Sequence, residues 1–570
     1  MKSLFTALLM VLFIVPSIHS QSNSETDIHT HIDKLMQHCY DYQMFNGTIL
    51  VTQDGKEIYS NALGYADKHN NRKLNKTTSV YLASVSKQFT TMAVMLLKDK
   101  GRLSYSDKLS KYYPEFPEYA NTVTIRHLMN HTSGIPDHYR LGIYKPGLSN
   151  KDVFETLLKQ ELDFKPGERF SYSNGGYVLL AMIVAKVAEQ PFHEFMKANI
   201  FEPLGMKNTL VYDESKPEIK DRAVGYDANG NLDDYNIFTT GAGGMFSTIH
   251  DLHLWDQALY SDKLVSKATL DEAFTPAKLN NGDYTQYGFG WGVSENDGKK
   301  TVQHSGGLAG YRTFLRRNLY DNSGYIILTN HGNLTNLRPI LGALDAILEG
   351  EAYEMPKVPI SAKLAKLLSH DDAISAIEKV NELIKTNPSN YEIDENGVNA
   401  LGYEYMGKED LKTALAIFKF NVENNPSSSN PYDSLGEALL ASGDTIQAVK
   451  NYKKSYELDK SNTNAIDVLK RVGIDTSAMT KTIAVPTKVL DSYVGNYELQ
   501  PNFILTVTRE DDRLFIQATG QGKIEAFPIT ESKFYSKVVD AQITFHKADS
   551  GEVNSLTLHQ NGDHKAPKID

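Results

Sequence analysis

A serine and a lysine three residues apart begin an amphipathic segment of this chain. Ser84 and Lys87 occur in Ser-Val-Ser-Lys, and apolar residues at helical spacing follow them, from Phe89 to Leu97. Residues three apart lie on one face of a helix, so the lysine ammonium reaches the serine hydroxyl. The first helical turn also favours negative charge on a serine oxygen. The spacing predicts a nucleophilic serine, although this short pattern also arises by chance in long chains.

Two further polar groups follow in the chain. Tyr172-Ser173-Asn174 comes after a Pro-Gly turn and offers a phenol and an amide. His304-Ser305-Gly306-Gly307 precedes a strand pattern that starts at Tyr311. Together with Ser84 and Lys87, these two groups strengthen the interpretation of Ser84 as a nucleophile.

In this order the three groups resemble the serine β-lactamase and penicillin-binding protein superfamily. The resemblance is to the branch shared by class C β-lactamases, D-alanyl-D-alanine carboxypeptidases and related esterases. Residues 124–136 and 243–252 also look like this branch. The resemblance covers about residues 30–350. It implies an α/β domain in which an antiparallel sheet is flanked by helices.

The resemblance also implies a role for each site residue. Ser84 would be the acylated nucleophile, Lys87 would help to remove its proton, and Tyr172 would be the base or proton shuttle. The backbone N–H groups of Ser84 and Gly307 would form the oxyanion hole, which is typically worth ~3 to 4 kcal/mol per donor. The implied substrate-binding residues are Asn174, His304, Ser305, Gly306 and Gly307, and the Asn174 amide would hydrogen-bond either the substrate amide or the lysine.

The residue types leave the identity of the base open. The pKa must fall about three units, from ~10.4 for Lys87 or from ~10 for Tyr172, at a cost of roughly 4 kcal/mol in either case. A charged Lys87 beside Tyr172 is expected to lower the tyrosine pKa, so we treat the two groups as one coupled unit.

His304 stands where many β-lactamases carry lysine. A histidine with a pKa near ~6.5 is mostly neutral at pH 7 and suits a substrate carboxylate less well than a permanent cation does. This argues against strong β-lactamase activity. It remains compatible with carboxypeptidases, because some members with histidine at this place are of that type, and with esterases.

Length and composition define the broad class. The chain has 570 residues, of which 41% are hydrophobic and 23% charged, typical of a folded protein with two to four domains. A net charge of -11 disfavours nucleic acid as a partner.

Residues 1–20 have the three-part form of a secretory signal peptide, which predicts a secreted or periplasmic protein. An uncleaved anchor is the alternative, and no transmembrane segment is expected in the mature chain. The predicted hydrolase domain covers residues 21–355. Cys39 cannot form an internal disulfide because it is the only cysteine, and we interpret it as a structural thiol.

Residues 370–475 read as helices and contain a repeat of 34 residues. Leu401-Gly402, Ala414 and Phe418 recur as Leu435-Gly436, Ala448 and Tyr452. This resembles tetratricopeptide pairing and predicts a protein or peptide ligand, with a simple helical spacer as the equal alternative. Residues 485–570 alternate with a period of two, which predicts a small antiparallel sheet or barrel.

We therefore expect an exported serine hydrolase acting on a peptide or small-molecule amide or ester, in the first place a D-Ala-D-Ala carboxypeptidase. An esterase or weak β-lactamase of the same family is one alternative. A catalytically inactive protein that senses or binds peptidoglycan is another. We predict no cofactor and no metal, since His250 and His253 lie three apart with no third ligand at metal-like spacing.

Overall fold

The computed structural model describes residues 25–570 except 228–229, 333–336, 478, 480–483, 501–502, 540, 549, 561 and 570. The predicted signal peptide, residues 1–20, lies outside the described residues. The chain divides into two compact units between Pro356 and Lys357. The predicted domain limits 21–355, 370–475 and 485–570 stay predictions.

The first unit is built on an antiparallel sheet. Its strands are β1 (Gly47–Gln53), β2 (Lys56–Leu63), β3 (Tyr65–Asp67), β4 (Arg72–Lys73), β5 (Val80–Tyr81), β6 (Leu210–Val211), β7 (Met245–Ser247), β8 (Gly292–Asn296), β9 (Lys299–Leu308), β10 (Tyr311–Asn318) and β11 (Ser323–Thr329). The main sheet has six strands in the order β2-β1-β11-β10-β9-β8. Strands β5, β7 and β6 form a smaller sheet, and β3 pairs with β4.

Helices cover both faces of the main sheet. They are α1 (Glu25–Asp41), α2 (Lys87–Asp99), α3 (Leu109–Tyr112), α4 (Ile125–Met129), α5 (Asn150–Leu157), α6 (Asn174–Ala188), α7 (Phe192–Met196), α8 (Glu202–Leu204), α9 (Ile249–Ala258), α10 (Lys267–Ala273) and α11 (Arg338–Glu349). Helices α1 and α11 pack on one face, and α2, α6 and α9 belong to the larger core on the other. The predicted sheet flanked by helices is confirmed.

The alternation of buried side chains along β10 shows how the sheet separates the two cores. Thr313, Leu315 and Arg317 are buried, and Thr313 donates to the carbonyl of Leu82 at 2.8 Å. Between them, Phe314 packs in the core of α1 and α11. A period of two places successive side chains on opposite faces. Cys39 lies fully buried in that smaller core, and burial raises the pKa of its thiol to about 12.

The second unit begins with helices. They are α12 (Ile360–Leu368), α13 (Ala373–Thr386), α14 (Glu395–Gly407), α15 (Leu411–Asn424), α16 (Ser429–Ala441), α17 (Thr445–Leu458) and α18 (Thr463–Arg471). A short parallel pair, β12 (Val358–Pro359) and β13 (Tyr391–Glu392), lies among them.

The predicted repeat has matching contacts in space. A Cβ added to Gly402 would lie 2.5 Å from the ring of Phe418, and one added to Gly436 would lie 2.9 Å from the ring of Tyr452. In both copies of the 34-residue repeat, a glycine therefore lets an aromatic ring approach the helix closely. The helical middle region is confirmed, and its tetratricopeptide assignment stays a prediction.

The end of the chain forms a barrel-like antiparallel sheet. It contains α19 (Thr487–Tyr493) and the strands β14 (Gly495–Gln500), β15 (Phe503–Glu510), β16 (Arg513–Ala518), β17 (Ile524–Pro528), β18 (Lys533–Ser536), β19 (Gln542–Lys547), β20 (Val553–His559) and β21 (Asp563–Pro567). The strands pair in sequence order. A bridge between Tyr497 and Lys568 joins the first strand to the end of the chain. The predicted small β domain is confirmed in this coarse form.

A buried ion pair supplies a stability test for the first unit. Nε of Arg317 in β10 donates to a carboxylate oxygen of Asp256 in α9 at 2.5 Å, and both side chains are buried. Because Asp256→Ala leaves the arginine charge uncompensated, it should lower the free energy of unfolding by about 3 to 5 kcal/mol. Urea denaturation followed by tryptophan fluorescence measures this, since Trp255 and Trp291 both lie in this unit.

Asp271→Ala is the matched control. Asp271 pairs with Lys267 at 3.0 Å, but both side chains are mostly exposed, so its loss should cost about 0.5 kcal/mol or less. Equal unfolding midpoints for the two variants would contradict a structural role for the buried pair.

Candidate active site

Ser84 lies on a short turn between β5 and α2. The sequence predicts that the helix includes Ser84, but the structure has a 3₁₀ turn over Ala83–Ser86, and α2 starts at Lys87. Ala83 is buried and has a φ of +47°, a left-handed backbone that costs free energy in a residue other than glycine. The packing around Ala83 therefore fixes an unfavourable backbone directly before the serine, which is partly exposed.

Lys87 is fully buried, and its ammonium faces three acceptors. Nζ donates to Oγ of Ser84 at 3.0 Å, to Oδ1 of Asn174 at 2.8 Å and to the carbonyl of Ala242 at 2.8 Å. These acceptors match the three donors of an ammonium group. The arrangement brings together the predicted Ser84, Lys87 and Asn174. The sequence leaves open whether Asn174 binds the lysine or the substrate. In the structure, Oδ1 of Asn174 accepts a hydrogen bond from Lys87.

Burial moves the pKa values of Lys87 and Tyr172 in opposite directions. It lowers the pKa of Lys87 to about 7, because the charged ammonium loses its hydration, and Asp137 partly opposes this change. Burial raises the pKa of Tyr172, and its hydrogen bond with Ser84 lowers it by less. The pKa of Tyr172 is raised on balance, because desolvation of the phenolate outweighs the effects that lower it. Lys87 is thus the group that loses its proton more readily in the free site.

A stack of aromatic rings holds Tyr172. The ring of His131 lies 4.1 Å from that of Tyr172, 4.9 Å from that of Tyr177 and 4.8 Å from that of Tyr287, measured between centroids. Nδ1 of His131 accepts the backbone N–H of Ser173 at 3.1 Å. Burial lowers the pKa of His131 well below its usual value, so the imidazole is neutral. His131 therefore supports the tyrosine.

His304 is neutral and held in one tautomer. Its Nδ1 lies 2.6 Å from the carbonyl of Ser305, which only accepts, so Nδ1 carries the proton. Nε2 then accepts from the hydroxyl of Tyr287 at 2.8 Å. Burial lowers the pKa of His304 to about 3, and the charge of Lys87 acts in the same direction. The site therefore has no cation at the place where many β-lactamases carry lysine.

The strand β9 brings its glycines beside the serine turn. Gly306 is buried against it: an added Cβ would lie 2.3 Å from the carbonyl oxygen of Leu82 and 3.1 Å from the backbone nitrogen of Ser84. Ser305 and Gly307 are exposed. Strand β8 pairs with β9 only as far as Gln303. The part of β9 beyond Gln303 runs past Ser84.

Sequence reasoning missed two side chains of this site. Asp137 accepts the side-chain N–H of Asn174 at 2.7 Å, and it follows directly on the 124–136 stretch that carries the family resemblance. Tyr287 binds His304 from a loop without a recognisable motif. The position of Asp137 was a usable signal. Nothing in the sequence around Tyr287 indicates its partner.

Comparison with known proteins shows the family to which the first unit belongs. The family model described as Beta-lactamase matches residues 29–348, which include Ser84, Lys87, Tyr172 and the strand β9. The chain belongs to the beta-lactamase family. This is a family of serine hydrolases that includes penicillin-binding proteins and acts on small-molecule substrates. Assignment to the class C branch stays a prediction.

The relatives of this beta-lactamase-family chain differ in the share of the chain that they cover. Penicillin-binding protein 4* of Bacillus subtilis (strain 168) is 37% identical over an alignment of 359 residues, which covers 58% of this chain and 79% of that protein. The octameric penicillin-binding protein homologue of Pyrococcus abyssi has 20% identity and a TM-score of 0.51, and it covers 95% of this chain and all of that one. D-amino acid amidase of Ochrobactrum anthropi SV3, complexed with L-phenylalanine, has 22% identity and a TM-score of 0.50, over 57% of this chain and 99% of that one. At these identities the two structures support the fold alone.

Outside the beta-lactamase-family domain, residues 480–568 match a second family model, described as Domain of unknown function (DUF3471). Among the helices that the structure describes, none is both long enough and apolar enough to span a membrane.

The two glycines of the beta-lactamase-family site give a matched pair of substitutions. Gly306→Ala should lower the free energy of unfolding by about 1 to 3 kcal/mol, because the new methyl group meets backbone atoms of the serine turn. Gly307→Ala should cost less, because its methyl group would meet only the flexible Arg312 side chain, at 3.5 Å. Urea midpoints measured by tryptophan fluorescence compare the two. A Gly306→Ala protein as stable as Gly307→Ala would contradict the close approach.

Proposed function

We propose that the chain is a serine acyl hydrolase that forms an acyl-enzyme through Ser84. The observation that carries the proposal is the buried Lys87, whose Nζ lies 3.0 Å from Oγ of Ser84 and whose pKa burial lowers to about 7. A neutral amine at this distance can accept the hydroxyl proton near neutral pH. A serine without such a base is a weak nucleophile.

The proposed reaction has two acyl transfers. Lys87 takes the proton from Ser84 as Oγ attacks the substrate carbonyl, and the backbone N–H groups of Ser84 and Gly307 stabilise the oxyanion. The ammonium, through Tyr172 in its neutral form, returns this proton to the leaving amine or alcohol. Water then attacks the acyl carbon and gives a proton to Lys87. The bond between that carbon and Oγ of Ser84 breaks, the product acid leaves, and Lys87 returns the proton to Oγ.

Our first candidate substrate is a peptide that ends in D-Ala-D-Ala. The name of the Bacillus subtilis relative supports a penicillin-binding type of site. Such a peptide carries a carboxylate, which neutral His304 would not attract. Arg312 is a candidate partner for it: this residue pairs with Gly307 in the sheet, and its Nη1 lies 3.9 Å from where a Cβ of that glycine would be. Nη1 donates to the carbonyls of Ala309 and Tyr311 rather than to a carboxylate.

An esterase is the second candidate, and neutral His304 is the observation that favours it, since a neutral ester needs no cation. A binding or sensor protein without turnover is less well supported, because Ser84, Lys87 and Asn174 are joined by hydrogen bonds that a binding role does not need. Export and a peptide ligand of the helical region remain parts of the proposal.

The nucleophile is tested by covalent labelling. Fluorophosphonate or penicillin should add to Ser84, as seen by peptide mass spectrometry, and Ser84→Ala should abolish the label. Lys87→Ala and Tyr172→Phe should each slow acylation by several orders of magnitude. An unlabelled Ser84 in folded protein, or near-wild-type rates in Lys87→Ala, would contradict the mechanism.

The pH dependence of acylation tests which group is the base. Because burial lowers the pKa of Lys87 to about 7, the rate should rise as the pH passes 7 and then level off. Two pH units below that pKa only about 1% of the lysine is neutral, so the rate at pH 5 should fall roughly 100-fold. A rate that continues to rise above pH 9 would instead indicate ionised Tyr172.

Arg312→Gln separates the two substrate classes. Loss of the guanidinium should raise KM for a D-Ala-D-Ala peptide roughly tenfold or more, because a charge-assisted hydrogen bond is lost. It should leave KM for a neutral nitrophenyl ester within about twofold. Steady-state kinetics on both substrates, with the exposed Arg102→Gln as a control, measure the difference. Equal changes for both substrates would count against carboxylate binding by Arg312.

A further inference from the structure

The carboxylate of Asp137 lies behind the amide of Asn174. It is buried, and one of its oxygens accepts both the side-chain N–H of Asn174 at 2.7 Å and the backbone N–H of the same residue at 3.0 Å. The other oxygen accepts the backbone N–H of Tyr139 at 2.8 Å. Three N–H donors therefore fix the carboxylate at the start of α6.

These bonds determine which end of the Asn174 amide meets Lys87. The amide has one oxygen and one NH₂ group, and only the NH₂ can donate to a carboxylate. With the NH₂ on Asp137, the oxygen faces Nζ of Lys87 at 2.8 Å. The reversed amide would place two acceptors together and set its NH₂ against the ammonium.

Asp137 is also the negative charge that acts on Lys87. The other titratable groups around the lysine come from the aromatic stack and from β9: Tyr172, Tyr177, His131 and His304. Burial raises the pKa of both tyrosines and lowers that of both histidines, so all four are uncharged at neutral pH. His138, beside Asp137, is neutral as well, because burial lowers its pKa to about 4.

We propose that Asp137 is a positioning residue, which orients the Asn174 amide towards Lys87 and supplies the negative charge behind that lysine. The proposal rests on the proposed function, in which Lys87 is the base for Ser84. Asp137 acts through Asn174 and its charge, and its hydrogen bonds are to Asn174 and to the backbone of Tyr139.

Two substitutions in the full-length protein separate orientation from charge. Asp137→Asn keeps an acceptor for Asn174 but removes the charge, so the ammonium of Lys87 loses its stabilisation. The rising limb of acylation against pH should move to lower pH by about half to one unit. Asp137→Ala also frees the amide, and the plateau rate should fall about 10- to 100-fold. A purely structural role would not move the pH profile.

Asp251→Asn is the matched control. Asp251 is a buried carboxylate that accepts from Asn208 and Thr209 near the start of α9, so it tests the loss of a similar carboxylate elsewhere in the unit. Its pH profile should superimpose on that of the wild type. The Asp137→Ala and Asn174→Ala losses at the plateau pH should not add in the double variant, since one residue acts through the other. Fully additive losses would overturn the orienting role.

A measurement without catalysis keeps this inference separate from the proposed function. In full-length Ser84→Ala protein with ¹³C-labelled lysine, the Lys87 signal is identified by its loss in Lys87→Arg, and its titration is followed by NMR. Asp137→Asn should lower the midpoint by the same half to one unit. An unchanged midpoint would overturn the charge effect. An unlabelled wild-type Ser84 would refute the proposed function while the shifted midpoint still supported Asp137.

Discussion

The burial of the Lys87 ammonium away from water is the constraint on which the site depends. Desolvation alone would make this charge very costly, and the carbonyl of Ala242, the amide of Asn174 and the hydroxyl of Ser84 replace the lost hydration. These acceptors come from three separate parts of the chain, so the fold of the whole first unit determines the proton affinity of one amine. The pKa near 7 is the balance between burial and the Asp137 charge.

The sequence predicted the site residues better than their electrostatics. Spacing alone placed Ser84 and Lys87 on one turn, because local geometry makes residues three apart neighbours. It could not predict that burial raises the pKa of Tyr172, since the rings of His131 and Tyr287 come from distant loops. The strand near 311 and the barrel-like end were predictable from their alternation. The 3₁₀ turn at Ala83 was not, because tertiary packing holds it there.

The hydrogen bond between His304 and Tyr287 explains how the segment that begins at His304 differs from one that begins with lysine. The imidazole uses both nitrogens within the protein, one on the carbonyl of Ser305 and one on Tyr287. The His304 side chain therefore lines the site without carrying a charge. In the function proposed here, selection among substrates falls to the edge of β9 and to the arginine beside Gly307, neither of which a motif of residue types describes.

The order of the main sheet has a consequence for how the first unit folds. Strand β1 pairs with β11, where Gly47 lies opposite Thr329, so the sheet joins the two ends of the unit. All the residues of the site lie in the chain between these strands. Contacts so distant in sequence close slowly, because the chain loses the entropy of a long loop before they form. We therefore expect the site to form only after the final strand has been synthesised, and a shortened chain that ends before β11 would lack the central pairing.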